Sequence, residues 1–143
     1  MNSWFEVKCK YTKQFEDGRL KRVTDTYLID ATSFTEAESR AYEEVAEGIK
    51  GEFQITAIKR ENFHDIFAYD DGNDWYKCVV KFITIDEDSG KSKKVSNRFL
   101  LTAESVKQAT ERIHESLSGL MSGYEVTSVS LTPIVDVVSY EQN

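Results

Sequence analysis

The residues of this chain whose types can do chemistry are two histidines, two cysteines and a few placed acids, and their spacing gives each little to work with. His64 and His114 have no serine or cysteine at a spacing that would set a nucleophile beside its base, so they read as surface or strand-end residues. Cys9 and Cys78 each lie inside an apolar alternation, which reads as a small buried hydrophobe rather than a disulfide framework. The run Asp86-Glu87-Asp88-Ser89-Gly90 and the acids Asp70, Asp71 and Asp74 lack the full frame of a calcium loop and read as solvated turns. No glycine loop that would cradle a phosphate occurs, and two cysteines cannot build a Cys-rich zinc site. Asp65 and Asp136 stand at matching places inside apolar strands, where a carboxylate bonded to local backbone is the simpler reading than catalysis. The expectation is therefore a protein that is not an enzyme, with no catalytic residue, no metal and no cofactor.

Binding chemistry has more to stand on. Trp4 with Lys8 and Lys10, and Trp75 with Lys77 and Lys81, lie opposite an apolar alternation, and an exposed tryptophan beside cations suits base stacking with phosphate contact. Two further basic clusters, Arg19, Lys21 and Arg22, then Lys91, Lys93 and Lys94, follow turn sequences and could grip a backbone at two points. The competing reading has each tryptophan packing at the rim of the core while the lysines protect strand edges. The formal net charge is −7, which argues against simple attraction to a duplex. The acids gather on the helices, as in Glu36, Glu38, Glu43 and Glu44, and the bases at the turns, so one face can be basic while another is acidic.

These residues are positioned by a repeat. The segment from Trp4 to Phe67 recurs as Trp75 to Val138, at an offset of 71 at its two ends and 72 in the middle. In each copy an alternating strand (Phe5, Val7, Cys9, Tyr11; Tyr76, Cys78, Val80, Phe82) runs into a turn, Glu16-Asp17-Gly18 or Asp88-Ser89-Gly90, and pairs back as a hairpin. A helix follows, opened by Ser33-x-x-Glu36 or Ser105-x-x-Gln108, both capping boxes, with an apolar stripe at three- and four-residue spacing. Gly51 and Gly123 end the helices, and two more strands complete a β-β-α-β-β unit. The fold expected is α+β, a tandem duplication packed with pseudo-twofold symmetry, with antiparallel sheets and two helices. Residues 1–68 form the first repeat, 69–74 a linker, 75–138 the second repeat and 139–143 a tail. The chain has 143 residues, 40 % of them apolar, enough for a core without staples. No apolar run spans a bilayer and Met1 to Glu6 lacks the regions of a signal peptide, so a cytoplasmic location is expected.

With the repeats laid out, the opening Asn2-Ser3-Trp4-Phe5-Glu6, the stretch from Val23 to Glu38, the central Trp75-Tyr76-Lys77 with Phe82-Ile83-Thr84, and the closing Ser128-Val129-Ser130 with Ile134, Asp136 and Val137 resemble an uncharacterised family. Its members are short proteins of Bacteroidetes bacteria, their prophages and their phages. The resemblance implies a small binding role in replication, recombination or host takeover, and brings no functional residue with it. In plan alone the tandem units are similar to the PUR and Whirly single-strand-binding folds, with a different element order. The resulting expectation is single-stranded DNA or RNA bound by Trp4, Trp75, Lys8, Lys10, Lys21, Arg22, Lys81, Lys93 and Lys94. The alternative is a protein-interaction module that docks on a host or phage protein through the same face. The residues leave the oligomeric state open.

Overall fold

A computed structural model describes residues 3–49, 51–120 and 123–139; Asn2 and the tail residues 140–143 singled out above lie outside the described residues. The elements run β1 (Ser3–Gln14), β2 (Leu20–Ala31), α1 (Phe34–Glu44), a 3-10 turn (Ala46–Gly48), β3 (Phe53–Glu61), β4 (Asp65–Phe67), β5 (Asp74–Ile85), β6 (Ser92–Ala103), α2 (Val106–Ser116), β7 (Tyr124–Leu131) and β8 (Ile134–Val138). The protein is thus α+β, with two helices and two four-stranded, largely antiparallel sheets among the described residues.

In the first unit β1 and β2 pair from Ser3 opposite Ala31 out to Gln14 opposite Leu20, and the turn closes at Gly18, whose φ of +86° favours glycine. The strand order is β3-β1-β2-β8. The odd-numbered side chains of β1 turn toward α1, so Phe5, Val7 and Cys9 are buried with Ile29 and Ala31 of β2 against Ala37, Ala41 and Val45. Phe5 meets Phe34 edge-to-face at 4.9 Å. Burying one such side chain stabilises by roughly 1.5–3 kcal/mol. Helix α1 starts where Ser33 accepts from the Glu36 amide at 3.1 Å and Glu36 accepts from the Thr32 amide at 3.0 Å, the reciprocal bonds that the sequence predicts.

The second unit repeats this plan with its own residues. Strands run β4-β6-β5-β7. Tyr76, Cys78, Val80, Phe99 and Leu101 face Ala109, Ile113 and Leu117. Ser105 accepts from the Gln108 amide at 3.1 Å, and Gln108 accepts from the Glu104 amide at 2.7 Å. Further contacts recur at the offsets of the sequence repeat. Register shifts fall at Lys8/Cys9 in one sheet and Val79/Val80 in the other, and in each the carbonyl before the shift is taken by a hydroxyl, Thr56 to Lys8 at 3.4 Å and Thr127 to Val79 at 3.2 Å. Arg40 donates to the Asp30 carbonyl and Arg112 to that of Thr102.

One expectation is corrected. The last strand of each repeat does not complete its own repeat's sheet: β4 pairs in parallel with β6, and β8 in parallel with β2. Compact units therefore break after Asn62 and after Thr132, with β8 joining β1, β2, α1 and β3, and β4 joining β5 to β7 and α2. Reach explains it. From β3 the free edge of β2 lies three strand spacings away, roughly 14 Å, which the three residues between β3 and β4 could bridge only fully stretched across the sheet. Residues 69–74, expected as a linker, are anchored within the second unit. Tyr69 donates through its amide to the Thr102 hydroxyl at 2.7 Å, and Asp71 pairs with Arg112.

Candidate functional site

Each hairpin runs past the end of its helix and forms an arm. Residues 12–22 and 84–96 are exposed throughout. The first arm carries Lys13, Arg19, Lys21 and Arg22 against Glu16 and Asp17, and the second carries Lys91, Lys93 and Lys94 with the turn acids Asp86, Glu87 and Asp88. The exposed Asp86 carboxyl accepts from the Asp88 amide at 2.9 Å, and that backbone hydrogen bond lowers its pKa. These acids are turn-formers, as the sequence suggests.

The residues expected to bind divide between two sides of the sheets. Strand alternation sets Trp4, Lys8, Lys10 and Arg22 on the side away from α1, and Trp75, Lys81 and Lys94 on the side away from α2, whereas Lys21 and Lys93 stand on the helix sides. Lys94 pairs with Glu125 at 3.4 Å. The expectation of two exposed tryptophans is corrected at Trp75, which is only 9 % exposed, and Trp4 is half-buried. Both stand at the inner strand ends, and from Trp75 to Thr84 on the second arm is roughly 30 Å along β5. The tryptophans and the basic hairpin clusters are therefore not brought together.

Structure adds a feature that sequence reasoning missed, a cleft on the helix side beneath each arm. The second cleft encloses about 490 Å³. Its floor is β5 and β6 (Phe82, Thr84, Val95, Asn97, Phe99), one wall is His64, Asp65 and Phe67, and the other is Ser116, Leu117 and Leu120 at the end of α2. The rings interlock. His64 lies 5.2 Å from Phe99 and 6.5 Å from Phe82, while Phe67 stacks on Phe99 at 5.8 Å. The His64 amide donates to the Arg98 carbonyl at 2.7 Å, which ties this wall to the edge of β6.

The first cleft, about 620 Å³, is lined by Tyr11, Thr12, Lys13, Gln14, Leu20, Gly48 and Ile49. Tyr11, Lys13 and Gly48 match Phe82, Thr84 and Leu120 of the second cleft at the repeat offsets. Here the polar group is used internally, because the Tyr11 hydroxyl donates to Asp25 at 2.8 Å. Lys13 stands directly opposite Lys21, a like-charged cross-strand pair that costs stability until an anion screens it. Lys13 also lies 5.6 Å over Phe15.

The remaining groups are quiet. Asp65 and Asp136 each accept from the next residue's amide at 2.8 Å, the local backbone role expected of them, one in each sheet. Burial pushes the Cys78 thiol up to about 11, and burial followed by the charge of Asp25 does the same for Cys9. Both stay protonated at neutral pH and are poor nucleophiles. No cluster of three or more histidines, cysteines or acids able to hold a metal occurs among the described residues. No helix among them is long and apolar enough to cross a membrane. The signal for the clefts was present as a mismatch between the repeats, Tyr11 with Asp25 in one and Phe82 with Asn97 in the other, but nothing local marks it as a cavity.

A family model described as a domain of unknown function, DUF4494, matches residues 3–140, and the chain belongs to that family. No curated protein and no solved structure matches it.

Proposed function

We propose that this family member is a non-enzymatic cytoplasmic binding protein, of the phage and prophage kind found in Bacteroidetes, whose two hairpin arms hold single-stranded nucleic acid. The observation that carries this reading is where the bases sit. In a chain of net charge −7, Lys13, Arg19, Lys21 and Arg22 crowd one exposed arm, and Lys91, Lys93 and Lys94 the other. Arg22 and Lys94 contact phosphates on the sides away from the helices, where Lys8, Lys10 and Lys81 continue the track along each sheet, and Lys21 and Lys93 contact them from the helix side of the same arms. Trp4 and Trp75 leave the proposed contact surface, since Trp75 is buried and both stand far from the arms.

Fluorescence anisotropy of a labelled 20-nucleotide oligo-dT, titrated with the full chain at low and then higher salt, tests this. Binding that weakens with salt is expected. The double variants Lys21→Ala/Arg22→Ala and Lys93→Ala/Lys94→Ala should each flatten the logarithmic salt slope by roughly 1.4, about 0.7 for each lost phosphate contact. No binding at micromolar protein in low salt rejects the reading. A second reading has its own support. Phe15 (39 % exposed), Leu20 (69 %), Ile85 (72 %) and Val95 (39 %) put apolar surface on the same arms, as docking on a host or phage protein requires. That reading predicts no affinity for the oligonucleotide.

A further inference from the structure

We propose that the cleft beneath the second arm is a nucleobase pocket, taking a base that bears an exocyclic amine against the rings of Phe82 and Phe99. This deepens the single-strand reading and rests on it for its biological setting, but its chemistry stands on the cleft itself.

The ligand follows from the lining. About 490 Å³ lies within the range of small-ligand clefts. Its floor and one wall are aromatic, with His64, Phe82 and Phe99 within 6.5 Å of one another. A flat ring stacks on such a surface. Polar groups among these rings decide what kind of ring. The Asn97 carboxamide is half-buried, lines the cleft and makes no hydrogen bond to another described residue. Asp65 lines it too, with one oxygen turned to the Ile66 amide and the second able to accept. A purely apolar ligand, a phenylalanine side chain included, would strip water from both groups and return nothing. A nucleobase offers a hydrogen-bonding edge instead. Because Asp65 only accepts, the edge must donate, which adenine, cytosine and guanine do through an exocyclic amine. Uracil and thymine donate on that edge only through N3–H, which stands between two carbonyls, so a carboxylate accepting from it meets an acceptor oxygen on either side.

The other unit supplies the contrast. At the matching place Asp25 is already bonded to Tyr11, so the first cleft has no free amide of this kind. Phe82 has no hydroxyl to give, which leaves the amide of Asn97 open to a ligand. Lys93 stands directly opposite Thr84 at the lip, on the same side of the sheet, where the phosphate of a bound nucleotide would emerge.

NMR titration of the isotope-labelled full chain with AMP, CMP, GMP and UMP separately tests the pocket without any strand. Shifts at the His64 ring, the Asn97 side-chain amide and the Leu120 amide are expected, with UMP weaker by about five- to tenfold, the value of one unpaired polar group. Asp65→Asn, whose amide can donate as well as accept, should abolish the preference, and Leu120→Trp, at a side chain already 46 % exposed, should fill the cleft and remove the shifts. Absence of shifts at the cleft, or equal response to all four nucleotides, overturns the proposal. If oligo-dT binds but no mononucleotide reaches the cleft, the pocket falls and the arm reading stands. If mononucleotides bind there and no strand binds, the pocket stands and the arm reading falls.

Discussion

Arg112→Met tests how the second unit is held together. Arg112 is 8 % exposed on α2. Its guanidinium donates to the Thr102 carbonyl at 2.8 Å and to Asp71, and lies 4.4 Å over the ring of Tyr69. Methionine keeps most of the aliphatic stem, so the loss is polar. Thr102 is 5 % exposed, and leaving its carbonyl without this donor costs about 1–3 kcal/mol. The ring contact, partly buried, is worth about 1–2 kcal/mol. Asp71 keeps 68 % of its side chain in water, so that ion pair adds ~1 kcal/mol at most. The expected loss is roughly 2–5 kcal/mol in a urea titration followed by near-ultraviolet circular dichroism. Hydrogen exchange at the β5 and β6 amides, which belong to this unit, localises it. Asp71→Asn, which removes only the ion pair, should cost under about 1 kcal/mol. An Arg112→Met loss under 1 kcal/mol, or an Asp71→Asn loss equal to it, refutes the assignment of the energy to the buried carbonyl and the ring.

The remaining predictions are smaller or simpler. Ser33→Ala and Ser105→Ala each remove an N-cap acceptor at 3.1 Å, and each should cost about 1 kcal/mol in the same assay. Gly72→Ala would place a Cβ 2.6 Å from the Ala103 nitrogen and 2.7 Å from the Thr102 carbonyl carbon. Backbone atoms cannot swing aside, so a loss of about 1–3 kcal/mol or more is expected, and a neutral effect would show that this segment does not lie against β6. Stability should also fall at alkaline pH. The folded chain holds the protons of Cys9 and Cys78 up to about 11 and that of Tyr27, raised by burial and then Asp25, up to about 12. The unfolded chain releases them earlier, so their contribution is complete below about pH 9 and is lost as pH rises through 11 to 12. The urea midpoint should drop across that window, by less in Cys9→Ala/Cys78→Ala; an equal drop in wild type and variant refutes the thiol contribution.

Much of this protein is legible in its residues because the signals are local. A period of two in Phe5, Val7 and Cys9 marks a half-buried strand wherever it occurs, Ser33 with Glu36 and Ser105 with Gln108 cap helices within four residues, and Gly18 and Gly90 close hairpins by their own backbone freedom (φ +86° and +71°). Their recurrence, in the same order and mostly at an offset of 71 or 72, carries the two-unit plan. Which sheet takes β4 and β8 is not local, since the alternation in Asp65–Phe67 and Ile134–Val138 suits any free edge. Chain reach and the edges left open decide it. The binding residues divide in the same way. That Lys21, Arg22, Lys93 and Lys94 sit on exposed arms follows from turn and strand signals. That Trp75 is buried, and that Phe82, Asn97 and His64 surround one cleft, depends on how strands distant in sequence fill space beside the end of a helix. Residue type and spacing therefore determined the elements and the order in which they recur, while pairing partners, burial and cavities were decided only by tertiary structure, because they are properties of surfaces that meet and not of any segment alone.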